Sequence, residues 1–187
     1  LPELIHRWAF DESGGDGTVL VDSIGGADGV IEDGGPNDGS VEDGRVTLPG
    51  GARASTDYVR LPSNLLSSLN SATIETWTTQ YSSQNWSRVF SAGSATNNVM
   101  HMSFSRGTNI NQNEFRWNAQ ANITLQDFGG TPTNPFDEQV HWVVTLDNEN
   151  GAADQTDIII YKNGEPVKSG STTNKLSGLS DTDFFLG

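Results

Sequence analysis

The first fifty residues place acidic side chains in and beside glycine-rich turns. The chain reads SGGDG, SIGGADG and EDGGPNDG here, and four acids lie in or flank these turns: Asp11, Asp16, Asp22 and Asp28. Ca²⁺ binds about six to eight hard oxygen ligands, and glycine-rich loops let several backbone carbonyls point to one ion. Aspartate is also common in turns without an ion, because its carboxylate accepts hydrogen bonds from nearby backbone amides. The pattern favours calcium binding, with hydrogen bonding within the turns as the alternative role of these aspartates.

Glu75 is a candidate acid for glycoside hydrolysis. Retaining glycosidases place two carboxyl groups about 5–5.5 Å apart, which on one strand face requires acids two or four positions apart. The segment TIETWTT has Trp77 and Thr79 at those positions. Asp147 or Glu114 from another strand could supply the second carboxylate, so a hydrolase stays an alternative. The sequence itself predicts no catalytic residue.

The three histidines show no spacing typical of a metal site. His6, His101 and His141 lie among apolar residues, without an H-x-H or HExxH pattern, and we expect them in the core or on a sheet face. The sequence also has no GxSxG elbow, no Walker loop and no cysteine. These absences disfavour serine hydrolases, kinases and thiol chemistry.

The tryptophans fall into two groups according to their neighbours. Three lie among alternating apolar residues and are predicted to be core residues: Trp8, Trp77 and Trp142. The other two lie in the polar segments SSQNWSR and EFRWNAQ. A sugar ring has an apolar face and a rim of hydroxyl groups, so a displayed indole beside polar side chains suits it. The predicted ligand-contact residues are Trp117, Trp86, Arg116 and Asn118, with a strand-anchoring role as the alternative for Trp86.

Composition limits the partners that the chain can bind. The 187 residues include 10 Lys and Arg against 24 Asp and Glu, which gives a net charge of -14. A protein with this net negative charge does not attract nucleic acid or an anionic membrane surface. No apolar run approaches the ~18 residues of a membrane span. The length predicts a single domain over residues 1–187.

The pattern along the chain predicts an all-β fold, because short alternating apolar segments are separated by Gly, Asn, Asp and Ser. Asn163-Gly164 predicts a type I′ hairpin, and Pro62–Leu69 predicts one short helical or 3₁₀ turn. The predicted strands are Leu4–Phe10, Tyr58–Leu61, Ala72–Gln80, Trp86–Ala92, Val99–Phe104, Glu114–Asn118, Val140–Leu146, Thr156–Tyr161 and Asp181–Leu186. So many strands imply a sandwich of two antiparallel sheets.

Seven segments along the chain occur in the order that is typical of one family. They are RWAFDESG, DSIGGADG, DYVRLPSNLLSSLNSATIETW, WSRVFSAGS, HWVVTLD, IYKNGEPV and LSGLSDTDFFLG. The chain resembles bacterial laminin-G-like domains of the concanavalin A-like lectin/glucanase superfamily. The resemblance implies a two-sheet jelly-roll sandwich in a secreted or cell-surface protein, with carbohydrate or protein binding and, in many members, a structural calcium ion.

The resemblance also implies particular residues. The nearest match to the family's calcium site is the DSIGGADG loop, which gives Asp22, Asp28 and the carbonyl of Gly25 as ligands. Family members continue beyond FLG into a last strand, whereas this sequence ends at Gly187. The resemblance therefore implies an unpaired edge beside Leu4–Phe10, where another strand could bind.

Together the residues and the resemblance predict a non-catalytic extracellular binding module. It would recognise carbohydrate or a protein partner and be stabilised by calcium. A structural or adhesive module of a surface assembly, completed by another strand, is the first alternative. A laminarinase-type glycoside hydrolase is the second.

Overall fold

The structure, a computed structural model, describes residues 3–52, 54–82, 84–94, 98–109, 111–118, 123–127, 135–149 and 154–187. These residues form β-strands and turns, and Leu176–Gly178 forms a 3₁₀ turn. Within these ranges, no helix has the length and apolar character needed to cross a bilayer.

The chain forms two compact units, Leu1–Ser63 with Asp183–Gly187 and Asn64–Thr182. The strands are β1 Val19–Leu20, β2 Gly29–Glu32, β3 Ser40–Glu42, β4 Arg45–Thr47, β5 Tyr58–Leu61, β6 Ala72–Thr79, β7 Arg88–Ser94, β8 Asn98–Ser103, β9 Glu114–Asn118, β10 Ile123–Gln126, β11 Gln139–Asp147, β12 Thr156–Lys162, β13 Glu165–Thr172 and β14 Phe184–Leu186. In the first unit β1, β2, β5 and β14 pair in that order, and β3 pairs with β4. The single-domain prediction for residues 1–187 stays a prediction.

The second unit contains two antiparallel sheets, with strand orders β7-β8-β9-β10 and β13-β12-β11-β6. Side chains alternate across each strand, so one face of each sheet is apolar and buried. On the first sheet Met102 is paired with Phe115, and on the second Val144 is paired with Ile160. The two sheets approach so closely that a Cβ on Gly170 of β13 would lie 2.7 Å from Leu125 Cδ2 of β10. The predicted all-β, two-sheet sandwich is confirmed.

Several local predictions are also confirmed. Tyr58–Leu61 and Glu114–Asn118 have the predicted bounds. Asn163 and Gly164 connect β12 to β13 with φ angles of 51° and 86°, as a type I′ turn requires.

One predicted strand is wrong, and one predicted turn is present. Leu4–Phe10 is not a strand: only Trp8 forms a single bridge, to Asp22. The Arg7 amide and the His6 ring bond to the Asp22 carboxylate, and Phe10 has a φ of 60° that ends any extended run. Pro62–Leu69 contains the single turn that was predicted: the Leu69 amide donates to the Leu66 carbonyl three residues earlier at 3.0 Å. Asp181 accepts the amide hydrogens of Leu66 and Ser67 at the start of this turn.

Candidate functional site

The face of the β7–β10 sheet opposite the apolar core is polar. Cross-strand pairing places Ser91 beside His101 and His101 beside Arg116. It also places Glu114 between Ser103 and Gln126. This polar face consists of Arg88, Ser91, His101, Ser103, Glu114, Arg116 and Gln126. His101 and Glu114 expose only 5% and 3% of their surface, although they point away from the core residues.

Hydrogen bonds fix the buried members of the polar face. His101 Nε2 lies 3.3 Å from Glu114 Oε1, and Gln126 Nε2 donates to Glu114 Oε2 at 3.2 Å. Arg88 Nη1 donates to Ser91 Oγ at 3.1 Å. Both oxygens of Glu114 therefore have a protein partner, and its carboxylate orients its neighbours.

His101 is neutral near pH 7. Burial lowers its pKa to about 4, and the charge of Arg88 adds to this against the opposing hydrogen bond with Glu114. A neutral imidazole carries one N–H, and the contact with the Glu114 carboxylate places that hydrogen on Nε2. Nδ1 is then an acceptor, and it is buried without a hydrogen-bond partner among the described residues.

The two arginines of the polar face have no ion pair in the part of the chain that the structure describes. Arg60 and Arg106 lie within 4.0 Å of Glu32 and Asp127, whereas neither Arg88 nor Arg116 lies that close to a carboxylate. Arg116 Nε is buried and lacks a hydrogen-bond partner there. Burial lowers the pKa of Arg88, and the charge of Glu114 opposes this. The polar face thus holds two positive charges against one negative charge.

Trp86 lies two residues before Arg88, at the end of the polar face where β7 begins. The residue is 46% exposed. Its φ of 56° is in the left-handed region, which is unfavourable for a non-glycine residue and occurs at constrained or functional positions. The Trp86 amide donates to the Gly107 carbonyl at 3.1 Å, which holds this backbone in place. Trp86 is therefore displayed at the surface, and its role as a ligand contact or as a strand anchor stays a prediction.

Arg116 and Asn118, two of the predicted ligand-contact residues, share one face of β9. Trp117 points the other way: it pairs with Met100 and Ile123 and is 0% exposed. The prediction of a displayed Trp117 is wrong, because its polar neighbours in sequence lie on the opposite face of the strand. Phe115, two positions away, shares its buried face.

Comparison with known proteins identifies the family. Residues 53–187 match the sequence profile described as the concanavalin A-like lectin/glucanases superfamily. The chain belongs to this family. The resemblance inferred from the seven segments is confirmed. No curated protein matches the chain.

A solved structure has a similar fold. It is domain 4 of AbnA, a GH43 extracellular arabinanase from Geobacillus stearothermophilus, in complex with arabinotriose. The TM-score is 0.52 at 16% identity, and the match covers 94% of this chain and 72% of that one. At this identity the likeness establishes the fold alone.

Trp77 lies on the outward face of the other sheet of the concanavalin A-like sandwich. The prediction that it is a core residue is wrong, because 57% of it is exposed. Its ring stacks on His141 of the paired strand, with 4.5 Å between ring centroids and 13° between planes. His141 Nε2 lies 2.7 Å from Glu75 Oε1. Trp142 is buried as predicted, whereas Trp8 is half-buried.

Glu75 has no carboxylate beside it among the described residues of this family member. Its cross-strand neighbour is Val143. Asp147 lies four positions further along β11, about 13 Å away at the usual strand rise, and bonds to Ser71. Glu114 belongs to the polar face of the other sheet. Neither of the predicted partners therefore lies at the spacing that a retaining glycosidase needs.

The DSIGGADG loop of this concanavalin A-like chain uses its carboxylates internally. Asp22 Oδ1 accepts the amide hydrogens of Arg7 and Ile24, while Oδ2 accepts that of Ala27 and lies 2.6 Å from His6 Nδ1. Asp28 Oδ1 accepts the Asp22 amide hydrogen. A Cβ on Gly25 would lie 2.4 Å from the Ile5 carbonyl oxygen. Asp22, Asp28 and Gly25 therefore take part in one hydrogen-bonded turn, and their role as calcium ligands stays a prediction.

A different group of acidic side chains lies close together in the first unit. Carboxylate oxygens of Asp16, Asp33 and Asp57 lie within 4.8 Å of one another, and no other triad of His, Cys, Asp or Glu in the described ranges meets this spacing. Asp57 is buried and accepts the amide hydrogens of Gly34 and Gly39. A hydrogen bond to Asp57 and the nearby acids raise the pKa of Asp16 to about 6. The sequence marked Asp16 as an acidic turn residue but did not mark Asp33 or Asp57.

Proposed function

We propose that the chain is a non-catalytic carbohydrate-binding module whose ligand lies on the polar face. The observation that carries the proposal is the pair of half-buried arginines, Arg88 and Arg116, held beside the buried His101–Glu114 pair. Ligand sites combine a few convergent polar groups with apolar surface. Trp86 supplies the apolar surface at the end of the face. Support for carbohydrate as the ligand comes from the lectin family and from the arabinotriose bound to the AbnA domain.

The chemistry of the polar face suits a saccharide. Guanidinium groups donate hydrogen bonds in a fixed plane and accept none, so Arg88 and Arg116 bond to hydroxyl or ring oxygens. The amide of Gln126 donates and accepts. A sugar ring stacks its C–H face on the exposed Trp86 indole, while its hydroxyls reach the arginines.

Removal of the Trp86 indole is expected to weaken oligosaccharide binding by about tenfold or more, because a stacking contact of about 1.4 kcal/mol is lost. Glycan arrays followed by isothermal titration calorimetry of Trp86→Ala measure this loss. Trp77→Ala is the matched control, since it removes an indole of similar exposure from the other sheet. Loss of affinity in Trp77→Ala with full binding by Trp86→Ala would move the site to the β6–β11 face and contradict the proposal.

The non-catalytic part of the proposal rests on Glu75. A hydrolase would need a second carboxylate near it, and none of the described residues supplies one. We expect incubation of the chain with laminarin and arabinan to release no reducing ends. Release that is lost in Glu75→Gln would favour the hydrolase alternative instead.

The proposal includes a stabilising calcium ion held by Asp16, Asp33 and Asp57. Three clustered carboxylates repel one another, and a divalent ion relieves that repulsion while it takes hard oxygen ligands. Calcium at about 100 times its Kd should stabilise the native state by about 2.7 kcal/mol. We expect the melting temperature to rise with CaCl₂ and fall with chelator.

Variants locate the calcium effect. Asp57→Asn should abolish the calcium-dependent shift in melting temperature, whereas Asp11→Asn, which changes an exposed acid outside the cluster, should retain it. An unchanged melting temperature of the parent chain in chelator would rule out the ion. A shift that survives in Asp57→Asn but is lost in Asp22→Asn would return the site to the DSIGGADG loop.

We place this function at the cell surface or in the secreted fraction, as the fold shared with a domain of an extracellular arabinanase suggests. A protein partner and completion of the sheet by another strand remain the alternative. The mass of the purified protein, measured by light scattering, distinguishes the proposal from this alternative. A dimer or a co-purified peptide favours the structural module, and a monomer favours the carbohydrate-binding module.

A further inference from the structure

Arg88 and Arg116 point to the class of saccharide that the polar face binds. We infer that this face selects saccharides carrying carboxylate groups, such as oligouronates, through these two guanidinium groups. The inference rests on the proposed carbohydrate-binding function. It adds a charge preference, which the neutral arabinotriose bound to the AbnA domain does not imply.

The polar face carries more positive than negative charge. The chain has 24 acidic and 10 basic residues, so acidic side chains are abundant enough to pair with every arginine. Arg60 and Arg106 have such partners, but Arg88 and Arg116 have none within 4.0 Å among the described residues. With His101 neutral, Glu114 balances one of the two positive charges. The polar face keeps a net charge of +1 inside a chain of -14.

The positions of the two guanidinium groups also favour a carboxylate ligand. Arg88 is held by Ser91 on its own strand, and Arg116 lies beside His101 on the neighbouring strand. Arg116 Nε is buried without a hydrogen-bond partner in the described part of the chain. A guanidinium group matches a carboxylate through two parallel N–H···O bonds, which a hydroxyl group cannot reproduce. A uronate carboxylate is thus the sugar substituent that best complements these arginines.

The Glu114 carboxylate does not occupy the two guanidinium groups of Arg88 and Arg116. Its two oxygens already bind His101 and Gln126. Removing one partner of a buried charged group is costly, so Glu114 stays with these two residues. The guanidinium groups remain available to an incoming anion.

The negative charge of the whole chain sets the conditions of the test. It repels polyanions at long range, but about 0.15 M salt limits such forces to roughly 8 Å. Direct ion pairs on a partly buried face are screened less. Selectivity for short oligouronates should therefore be measured at physiological ionic strength.

The experiment compares matched saccharides by isothermal titration calorimetry. The probes are tetramers of galacturonate, mannuronate and glucuronate, each against its carboxyl-reduced, neutral form, together with a sulfated tetramer. At least one uronate is expected to bind about tenfold or more tightly than its neutral form. Arg116→Gln and Arg88→Gln should reduce the affinity for the uronate to that for its neutral form. The affinity of Arg116→Lys for the uronate should lie between those of the parent chain and Arg116→Gln. Arg60→Gln, outside the polar face, should bind as the parent chain does.

The possible results separate the inference from the proposed function. Neutral tetramers that bind as well as the uronates, with no loss in Arg116→Gln, would overturn the inference and leave carbohydrate binding in place. Preference for the sulfated tetramer over all uronates would overturn the carboxylate specificity. Absence of binding to every saccharide, acidic or neutral, would overturn both. Melting curves of each variant establish that lost affinity is not lost folding.

Discussion

Replacing Trp117 with alanine is expected to lower the free energy of unfolding by about 3–5 kcal/mol. The indole is fully buried between the paired residues Met100 and Ile123. Its removal loses the transfer energy of a large apolar group and leaves a cavity that the two packed sheets cannot close. Urea unfolding followed by far-UV circular dichroism measures the change.

Trp86→Ala provides the matched control for that measurement. Its indole is half exposed, so the same substitution should change the free energy of unfolding by less than about 1 kcal/mol. The two variants should therefore show opposite effects: Trp117→Ala loses stability and Trp86→Ala loses ligand affinity. A Trp117→Ala variant of normal stability that no longer binds saccharide would restore the sequence-based prediction of a ligand contact at Trp117.

The exposure of Trp117 and of Trp77 was predicted wrongly for the same reason. Trp117 has polar neighbours in sequence, but Phe115 two positions before it shares its face and is buried. Trp77 has Ile74 and threonines nearby, but Glu75 two positions before it shares its exposed face. In a strand, residues at i±2 decide which face a side chain occupies, and residues at i±1 lie on the other. The sequence contained this signal, and local polarity obscured it.

The sheets themselves could be predicted because alternation persists along β11 and β12. The polar face could not, because it depends on register between strands. Arg88, His101 and Glu114 come from three strands, and a shift of one residue would turn each side chain to the opposite face. The acidic cluster has the same origin: Asp16 and Asp57 are brought together by the turns and strands of the first unit.

The first segment shows how a side chain can replace a strand ladder. Alternation in Leu4–Phe10 suggests pairing, but the Arg7 amide and the His6 ring bond to the Asp22 carboxylate. Sequence patterns report side-chain polarity and do not report which acceptor a backbone amide finds. Asp22 is the residue on which the segment depends.

Substitution of Asp22 with alanine is expected to lower the free energy of unfolding of the first unit by about 2–4 kcal/mol, because hydrogen bonds to a buried charge are lost and their donors are left unsatisfied. The carboxylate accepts backbone amide hydrogens from three residues, Arg7, Ile24 and Ala27. Hydrogen exchange should show the loss first at these three amides. Asp28→Ala, which removes one such bond, should cost about 1 kcal/mol.

The pH dependence tests whether the Asp22 charge is the cause. Burial alone would raise its pKa, but hydrogen bonds from the Arg7 amide, the His6 ring and the Ala27 and Ile24 amides hold the pKa well below its usual range. Its stabilisation is therefore complete above the unfolded pKa of about 3.9 and is lost as pH falls through the lower folded value. The stability difference between the parent chain and Asp22→Asn should shrink steadily below about pH 4. A difference that stays constant from neutral pH to about pH 2 would mean that shape, and not charge, makes Asp22 necessary.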